Sequence, residues 1–597
     1  MGIKYSLGID LGTTNSVLAY TALDTESPRI EVLPVPQLVA ANTVEARTLL
    51  PSFLYLGLEG EAASGAFDLP WSAGRNFAVG EYARRQGAEV PDRTVGAAKS
   101  WLCHSRIDRR QPILPWNAPA DVPKISPVAA AQRYLEHLAA AWNQAFPDAP
   151  FAEQHVVLTV PASFDASARE LTREAALAAG FAQDFLLLEE PQAAVYAWLD
   201  ATGERWRRLL AVGDTLLVCD VGGGTTDLTL VGVAEENGEL ALQRIAVGNH
   251  LLVGGDNMDL ALAHYAAGKF AEKGVQLDPW QSVALWHSCR TAKELLLAPD
   301  GPEKHSLAVP GRGRRLIGGS IALQVERQTL SELLLDGFFP VCRIHDRPQR
   351  QRASGFREIG LPFEAETAVT RHLAAFLQAH GPRPEIPVQP TQVLFNGGVF
   401  KAECLRSRLL EVLGGWFGTS AAPRVLEGKH DLDHAAARGA AYYGWSKCHN
   451  GLRIRGGTAR AYYVGIETAG LAVPGALRPL RALCVVPIGM EEGSETDVPG
   501  DPIGLVVGEP ARFRFFSSST RKQDRPGDIL PAWLPEEISE TDSLEAQLPI
   551  EQSPDEGYIP VKFHSRITEL GVLELWCVST LDNKRWKLEF SVREDKE

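Results

Sequence analysis

Cysteine is scarce: eight in 597 residues, widely scattered, with no Cys-x-x-Cys pair. That excludes a disulfide-built scaffold or a zinc ribbon and leaves reduced, mostly buried thiols, the pattern of a cytoplasmic protein. No run of about 18 apolar residues exists, so no membrane-spanning helix is expected. A secretory leader is missing too, because Asp10 interrupts the first apolar stretch and the N-terminus carries little positive charge. "MGIKYS" satisfies the bare acylation pattern, but a strand begins within a few residues and leaves an acyl chain little tether. Basic excess is the last absence. The net charge is −15, which opposes binding to nucleic acid or anionic lipid. Neither partner is expected.

Hydrophobic residues make up 45% and charged residues 22%, the mix of a soluble globular protein. A chain this long exceeds one core, so two or more domains are expected. His430 and His434 have the i, i+4 spacing that binds metal on a helix. Asp431 stands where a zinc protease needs Glu, and no metal is expected there.

Residues 1–445 alternate strand-like and helix-like stretches, the sign of an α/β architecture. "HVVLTVPASF" reads as strand then turn, and "DASARELTREAALAAGF" as a helix with Asp165 as N-cap and Gly180 near its end. The polar, mostly basic stretch from Arg343 to Phe363 reads as a surface loop. After Trp445 the texture changes. Residues 446–458 read as a linker, and 459–597 as strands and turns without a long helix. "RWKLEFSVR" alternates as a half-buried strand and "ARFRFF" behaves similarly. Trp576, Phe513 and Phe515 are expected in the core.

Two turns share one grammar. "GIDLGTTNSVLAY" and "VCDVGGGTTDLTLV" each read apolar strand, Asp, apolar residue, glycine turn, Thr-Thr, strand. Their separation suits two duplicated half-domains facing across a cleft. Glycine lets backbone N–H groups approach phosphate oxygens, Thr hydroxyls add donors, and Asp at a strand end can hold the water shell of Mg²⁺. Two such hairpins could clamp a polyphosphate from both sides.

Seven motifs carry a resemblance in order: "GIDLGTTNS", "VLTVPASFDASARE", "LEEPQAAVYAW", "CDVGGGTTD", "VGGDNMD", "LFNGGVFK" and "DLDHAAARGAA". Together they resemble the nucleotide-binding domain of the seventy-kilodalton heat-shock chaperones, the DnaK type, of the actin and sugar-kinase ATPase fold. "YYVGIETAG" resembles the opening of that family's β-sandwich substrate-binding domain. The resemblance implies a two-lobed ATPase domain over 1–445 and a smaller β-sandwich-like domain over 459–597. It implies ATP or ADP with Mg²⁺ as cofactors, K⁺ as a further candidate ion, and slow hydrolysis in the cytoplasm. It implies polypeptide clients and roles in protein folding and the stress response.

By motif, Asp10, Gly12, Thr13 and Thr14 contact the phosphates and the magnesium shell. Lys99, in "TVGAAKSWL", matches the lysine that reaches the γ-phosphate, and Glu190 the carboxylate that orients the attacking water. Asp220, Gly222, Gly223, Gly224, Thr225 and Asp227 form the second clamp, with Asp10, Asp220 and Asp227 holding the metal mostly through water. Gly255, Lys293, Gly397, Gly398 and Asp433 match the adenosine side. Pro161 and Arg169 match a pair linked to interdomain coupling.

The chain departs from that family. Arg290 stands where the family has Glu, Leu297 where it has Ser, and Val399 and Lys401 replace Ser and Arg. Leu186 and Glu189 replace a basic residue and an Asn in the region that meets J-domain partners, so that contact loses two of its residues. The linker "NGLRIRGG" lacks the acidic-apolar strand, and no amphipathic helical bundle follows "RWKLEFSVR", so a domain without a helical lid is expected. The leading reading is an ATP-dependent chaperone-like protein. The alternatives are a nucleotide-gated scaffold for one dedicated protein partner and a small-molecule kinase of the same fold.

Overall fold

Apolar strands broken by a polar residue near their ends set the framework. The computed structural model describes residues 2–590 except 105–106, 117, 237–238, 310–320, 350–363, 384, 420–421, 427–430, 450–453, 456, 468–478, 492, 507–510, 535–536, 542–543, 547–557 and 569–571. His430 and most of the stretch expected as a basic loop lie outside the described residues.

In the first half, β1 (Tyr5–Leu11) and β2 (Asn15–Ala22) form an antiparallel hairpin. The short α1 (Ala98–Leu102) and the long α2 (Pro127–Ala145) precede β3 (His155–Val160), which pairs parallel to β1. Next come α3 (Ala166–Ala178), β4 (Leu186–Glu189), parallel to β3, and α4 (Glu190–Thr202). Asp165 caps α3, its Oδ1 accepting from the Ala168 N–H at 2.8 Å.

The second half repeats this plan. Hairpin strands β5 (Thr215–Val221) and β6 (Thr226–Glu236) are extended by β7 (Glu239–Val247). Helices α5 (Gly255–Glu272) and α6 (Pro279–Leu297) follow, and then β8 (Gln392–Asn396), which lies parallel to β5 as β3 lies beside β1. The next helices are α7 (Glu403–Phe417) and α8 (Ala435–Cys448). Each sheet therefore centres on one glycine-turn hairpin.

Helices α4 and α8 join the two sheets through a shared apolar cluster containing Val157, Leu188, Trp198, Val218 and Ala440. Helix α8 crosses β1 so closely that a Cβ on Gly8 would lie 2.1 Å from the Ala437 carbonyl oxygen. The alanine-rich "AAARGAA" thus serves backbone approach.

Beyond α8, β9 (Ile454–Arg455) adds to the second sheet, parallel to β7. The Ile454 N–H donates to Tyr196 Oη at 2.8 Å. The remaining chain is β-rich. Strands β10 (Ala461–Glu467), β11 (Leu480–Val486), β12 (Ala511–Phe513) and β13 (Phe515–Ser518) are followed by β14 (Leu544–Ala546), β15 (Tyr558–Ile567), β16 (Leu573–Ser579) and β17 (Arg585–Phe590).

"ARFRFF" is not one alternating strand. It breaks at Arg514, so that β12 pairs with β14 in one sheet and β13 with β10 in another. Phe515 and Phe516 are consecutive and both buried, in different clusters, which defeats alternation. Trp576 is half-buried on the outer face of β16 with Lys587 over its ring, not in the core.

The β-rich part sits against the first half. Ala166 of α3 packs into its apolar cluster, and Val572 packs into the core of the first half. Glu189, at the end of β4, lies beneath this junction. Arg169 of α3 donates to its Oε1 at 2.7 Å, and Arg244 of β7 pairs with its Oε2. Arg244 also donates to the Gly457 carbonyl in the linker. One carboxylate thus ties the first half, the second half and the linker.

Candidate functional site

Asp10 and Asp220 occupy equivalent places. Asp10 lies opposite Thr159 of β3, whose Oγ1 donates to its Oδ1 at 3.0 Å. Asp220 lies opposite Asn396 of β8, whose Nδ2 donates to its Oδ2 at 2.7 Å. In each half the neighbouring parallel strand orients the carboxylate. Sequence reasoning missed Thr159 and Asn396. Their one signal is a polar residue interrupting "VLTV" and "VLFNGG".

The two turns abut. A Cβ on Gly223 would lie 1.8 Å from Thr14 Oγ1. Glycine there is needed for the approach of the opposite hairpin. Ser52 Oγ steadies the first turn by donating to the Gly12 carbonyl at 2.7 Å.

Lys99 lies on α1, buried at 8% exposure, and donates to Glu190 Oε1. It is no surface lysine. The Ala97 N-cap of α1 has φ +55°, a left-handed conformation that costs about 1–2 kcal/mol for a residue with a Cβ. Buried Arg109 fixes the other end of α1, donating to the Leu102 carbonyl at 3.1 Å and to Ser167 Oγ on α3 at 3.0 Å. Glu190 opens α4, where the helix N-terminus favours a negative charge.

Three carboxylates, Glu190, Asp10 and Asp227, converge on this one lysine, and Asp220 lies beside them. Burial pushes the Asp10 carboxyl up to about 6, helped by Glu190 and opposed by Lys99. Burial pushes Asp220 up to about 8, again with Glu190 adding to it. Burial raises Glu190 and Asp227 as well, against the pull of Lys99. Lys99 is held above its ordinary value: burial opposes its charge, but Glu190 and Asp10 outweigh it. Asp227 Oδ1 and Asn396 Oδ1 are buried without a hydrogen-bond partner. Such an excess of buried negative charge with free oxygen acceptors fits a hard cation with oxygen ligands, Mg²⁺ above all. Among the described residues no group of three His, Cys, Asp or Glu is placed to ligate a metal directly.

The cleft between the hairpins has a volume of about 660 Å³, the size of a small-molecule site. Of the catalytic, nucleotide and metal residues expected from the sequence, all line it except Gly224 and Asp227; Arg169 and Glu189 lie outside it. Thr13, Thr14, Gly222, Gly223 and Thr225 are at the hairpin end, with Asp10, Gly12, Lys99, Glu190 and Asp220. Gly255, Lys293, Gly397, Gly398 and Asp433 lie in the remaining wall. There Lys293 Nζ donates to the Gly255 carbonyl at 2.8 Å and pairs with Asp259 at 2.6 Å. Asp433 is paired with Lys401. Leu297 and Val399 add apolar wall. No helix among the described residues is long and apolar enough to cross a membrane.

The family described as Hsp70 protein matches residues 72–336. A Chaperone protein HscA homolog from Bordetella petrii is 27% identical over 427 residues, covering 68% of this chain and 59% of the relative. Chaperone protein DnaK of Stenotrophomonas maltophilia is 25% identical over 423 residues, covering 68% and 60%. Chaperone protein HscA of Salmonella agona is 31% identical over 275 residues, covering 44% and 37%. The chain thus spans about 60% or less of the length of these relatives. Together with the apposed hairpins and the Lys99–Glu190 pair, these matches make the chain similar to Hsp70 proteins, most directly over residues 72–336.

Proposed function

We propose that the chain is a slow, Mg²⁺-dependent ATPase that couples nucleotide state to polypeptide binding, in the manner of a chaperone. In this reading the two halves are the lobes of an actin-like ATPase, and the β-rich part is a sandwich-like polypeptide-binding domain. The observation that carries it is the pair of apposed hairpins enclosing Lys99 and Glu190. The turns at Gly12–Thr14 and Gly222–Thr225 hold the phosphates with backbone N–H and Thr hydroxyl donors. Asp10, Asp220 and Asp227 would hold Mg²⁺, which would supply charge neutralisation at the phosphates. Lys99 meets the γ-phosphoryl oxygens, and Glu190 orients water for in-line attack, so the protein contributes positioning and electrostatics. Gly255, Lys293, Gly397, Gly398 and Asp433 face the nucleoside. Pro161 and Arg169 lie where a signal would pass to the β-rich part.

ATP turnover measured with and without an apolar peptide tests the coupling. Stimulation is expected, and unchanged turnover would remove the chaperone reading. The three-way contact of Glu189 supports a second reading, a nucleotide-gated scaffold with one protein partner, because it ties both halves to the linker that leads into the β-rich part. Tight binding of one protein with no affinity for assorted peptides is the result that reading requires.

Metal removal gives a further prediction. The folded pKa values of Asp10 and Asp220 lie above the ordinary 3.8. Their contribution to stability is therefore full below that value and is lost as pH rises through about 6 and about 8. In a chelator, the urea midpoint should fall from pH 5 to pH 9, and Mg²⁺ should restore more of it at the alkaline end. An equal Mg²⁺ effect at both ends would contradict the assignment of these carboxylates to the ion.

A further inference from the structure

Ser163 lies just beyond β3, in the first half of the chain, yet the two side chains that engage its hydroxyl come from the second half. On one side its Oγ lies 2.7 Å from His250 Nδ1. On the other is Asp227. Burial raises the Asp227 carboxyl, and hydrogen bonding to the Ser163 hydroxyl opposes this most, ahead of Lys99 and of the Ser163 N–H. The His250 segment is pinned to the residue before Asp227. The Thr226 N–H donates to the Leu251 carbonyl at 3.0 Å, and Thr226 Oγ1 donates to the Val253 carbonyl at 2.8 Å. Phe164 stands edge-on to the imidazole, with ring centroids 5.8 Å apart. The second half thus grips one serine of the first half from both sides, and that serine is only 3% exposed.

A hydroxyl has one proton to give. An ionised carboxylate can only accept, and a hydrogen bond to it is the stronger kind, so Ser163 donates to Asp227. The Ser163 oxygen must then accept from His250, which requires a neutral ring with its hydrogen on Nδ1. Burial keeps that ring neutral, pushing it down to about 4, with Arg460 adding to the effect and Asp165 opposing it. The other tautomer would draw the Ser163 proton away from Asp227. It would also place an N–H on Nε2, which is buried with no hydrogen-bond partner, and a buried donor without an acceptor is costly. Asp227 Oδ1 stays without a hydrogen-bond partner.

We infer that Ser163 and His250 are positioning residues for hydrolysis: His250 Nδ1–H donates to Ser163 Oγ, Ser163 O–H donates to Asp227, and the carboxylate so fixed keeps Oδ1 for the water shell of the ion. This rests on the nucleotide reading given above. Partners one step behind a metal-binding group orient it, and losing one costs about 10–100-fold in metal affinity or activity.

ATP binding by the full chain, followed calorimetrically as Mg²⁺ is varied, tests it alongside single-turnover hydrolysis. Ser163→Ala and His250→Leu should each need about 10–100-fold more Mg²⁺ and hydrolyse ATP more slowly by a similar factor. The double variant should be no worse than Ser163→Ala, because His250 acts only through that hydroxyl. His250→Asn, whose amide can donate from the place of Nδ1, should recover most of the loss. A merely structural role would add the two losses and gain nothing from Asn. In nitrogen-15 histidine spectra of the nucleotide-free protein, the ring signal that His250→Asn removes should be the Nδ1–H tautomer. An Nε2–H tautomer, a wild-type Mg²⁺ requirement in either single variant, or additive losses would overturn the proposal and leave the nucleotide reading standing. Should His250→Leu not fold, Ser163→Ala and the tautomer decide. Wild-type protein that binds no ATP would overturn both.

Discussion

Lys99→Ala should still bind ATP but hydrolyse it about 10²–10³-fold more slowly, the usual cost of removing one donor from the charge developing in a transition state. Two losses combine. The γ-phosphoryl group loses a buried ammonium, and Glu190 loses the cation that opposes its burial. Left beside Asp10 and Asp227, Glu190 takes up a proton more readily and no longer accepts from the attacking water. Binding survives because the backbone donors of both turns and the Thr hydroxyls remain. Single-turnover hydrolysis alongside equilibrium binding separates the two effects. Wild-type turnover in Lys99→Ala would remove this lysine from the mechanism.

Glu189→Ala should unseat the β-rich part. The carboxylate is 8% exposed, and its partners Arg169 and Arg244 are 13% and 3% exposed. Removing one member of such a buried pair costs about 3–5 kcal/mol, because the opposite charge stays desolvated without its counter-ion. The expected readouts are a lower urea midpoint and faster protease cleavage within 446–458. Burial alone would raise the Glu189 carboxyl, but Arg244 and then Arg169 outweigh it and hold it below the ordinary range. Its stabilisation is thus present above about 4.5 and is lost as pH falls further. Wild-type protein should loosen on acidification below that value, and Glu189→Gln should lack that step. Identical cleavage rates in wild type and Glu189→Ala would show that the contact holds nothing.

What could be read from the sequence was local. The hairpin strands announce themselves by apolar runs, and the cap of α3 by Asp165 before a helical period. The site residues at the turns were legible because Asp, Gly and Thr at strand ends have few structural reasons to recur together. Partners far apart in sequence were not legible. Thr159 and Asn396 look like ordinary strand residues until β3 and β8 lie beside the hairpins. Glu189 stood out as a departure, but its partner Arg244 and the Gly457 carbonyl meet it only in the folded chain. "ARFRFF" misled for a related reason: the chain changes sheets at Arg514, the consecutive Phe515 and Phe516 are both buried in different clusters, and a period of two reports only one buried face.

The central claim is that the two hairpins together hold Mg·ATP for hydrolysis. Its most direct test is calorimetric titration of the full chain with ATP, followed by single-turnover hydrolysis with protein in excess, each with Mg²⁺ and with a chelator. The account predicts one ATP bound per chain and slow conversion to ADP that stops in the chelator. No ATP binding, or hydrolysis that the chelator leaves untouched, would contradict it.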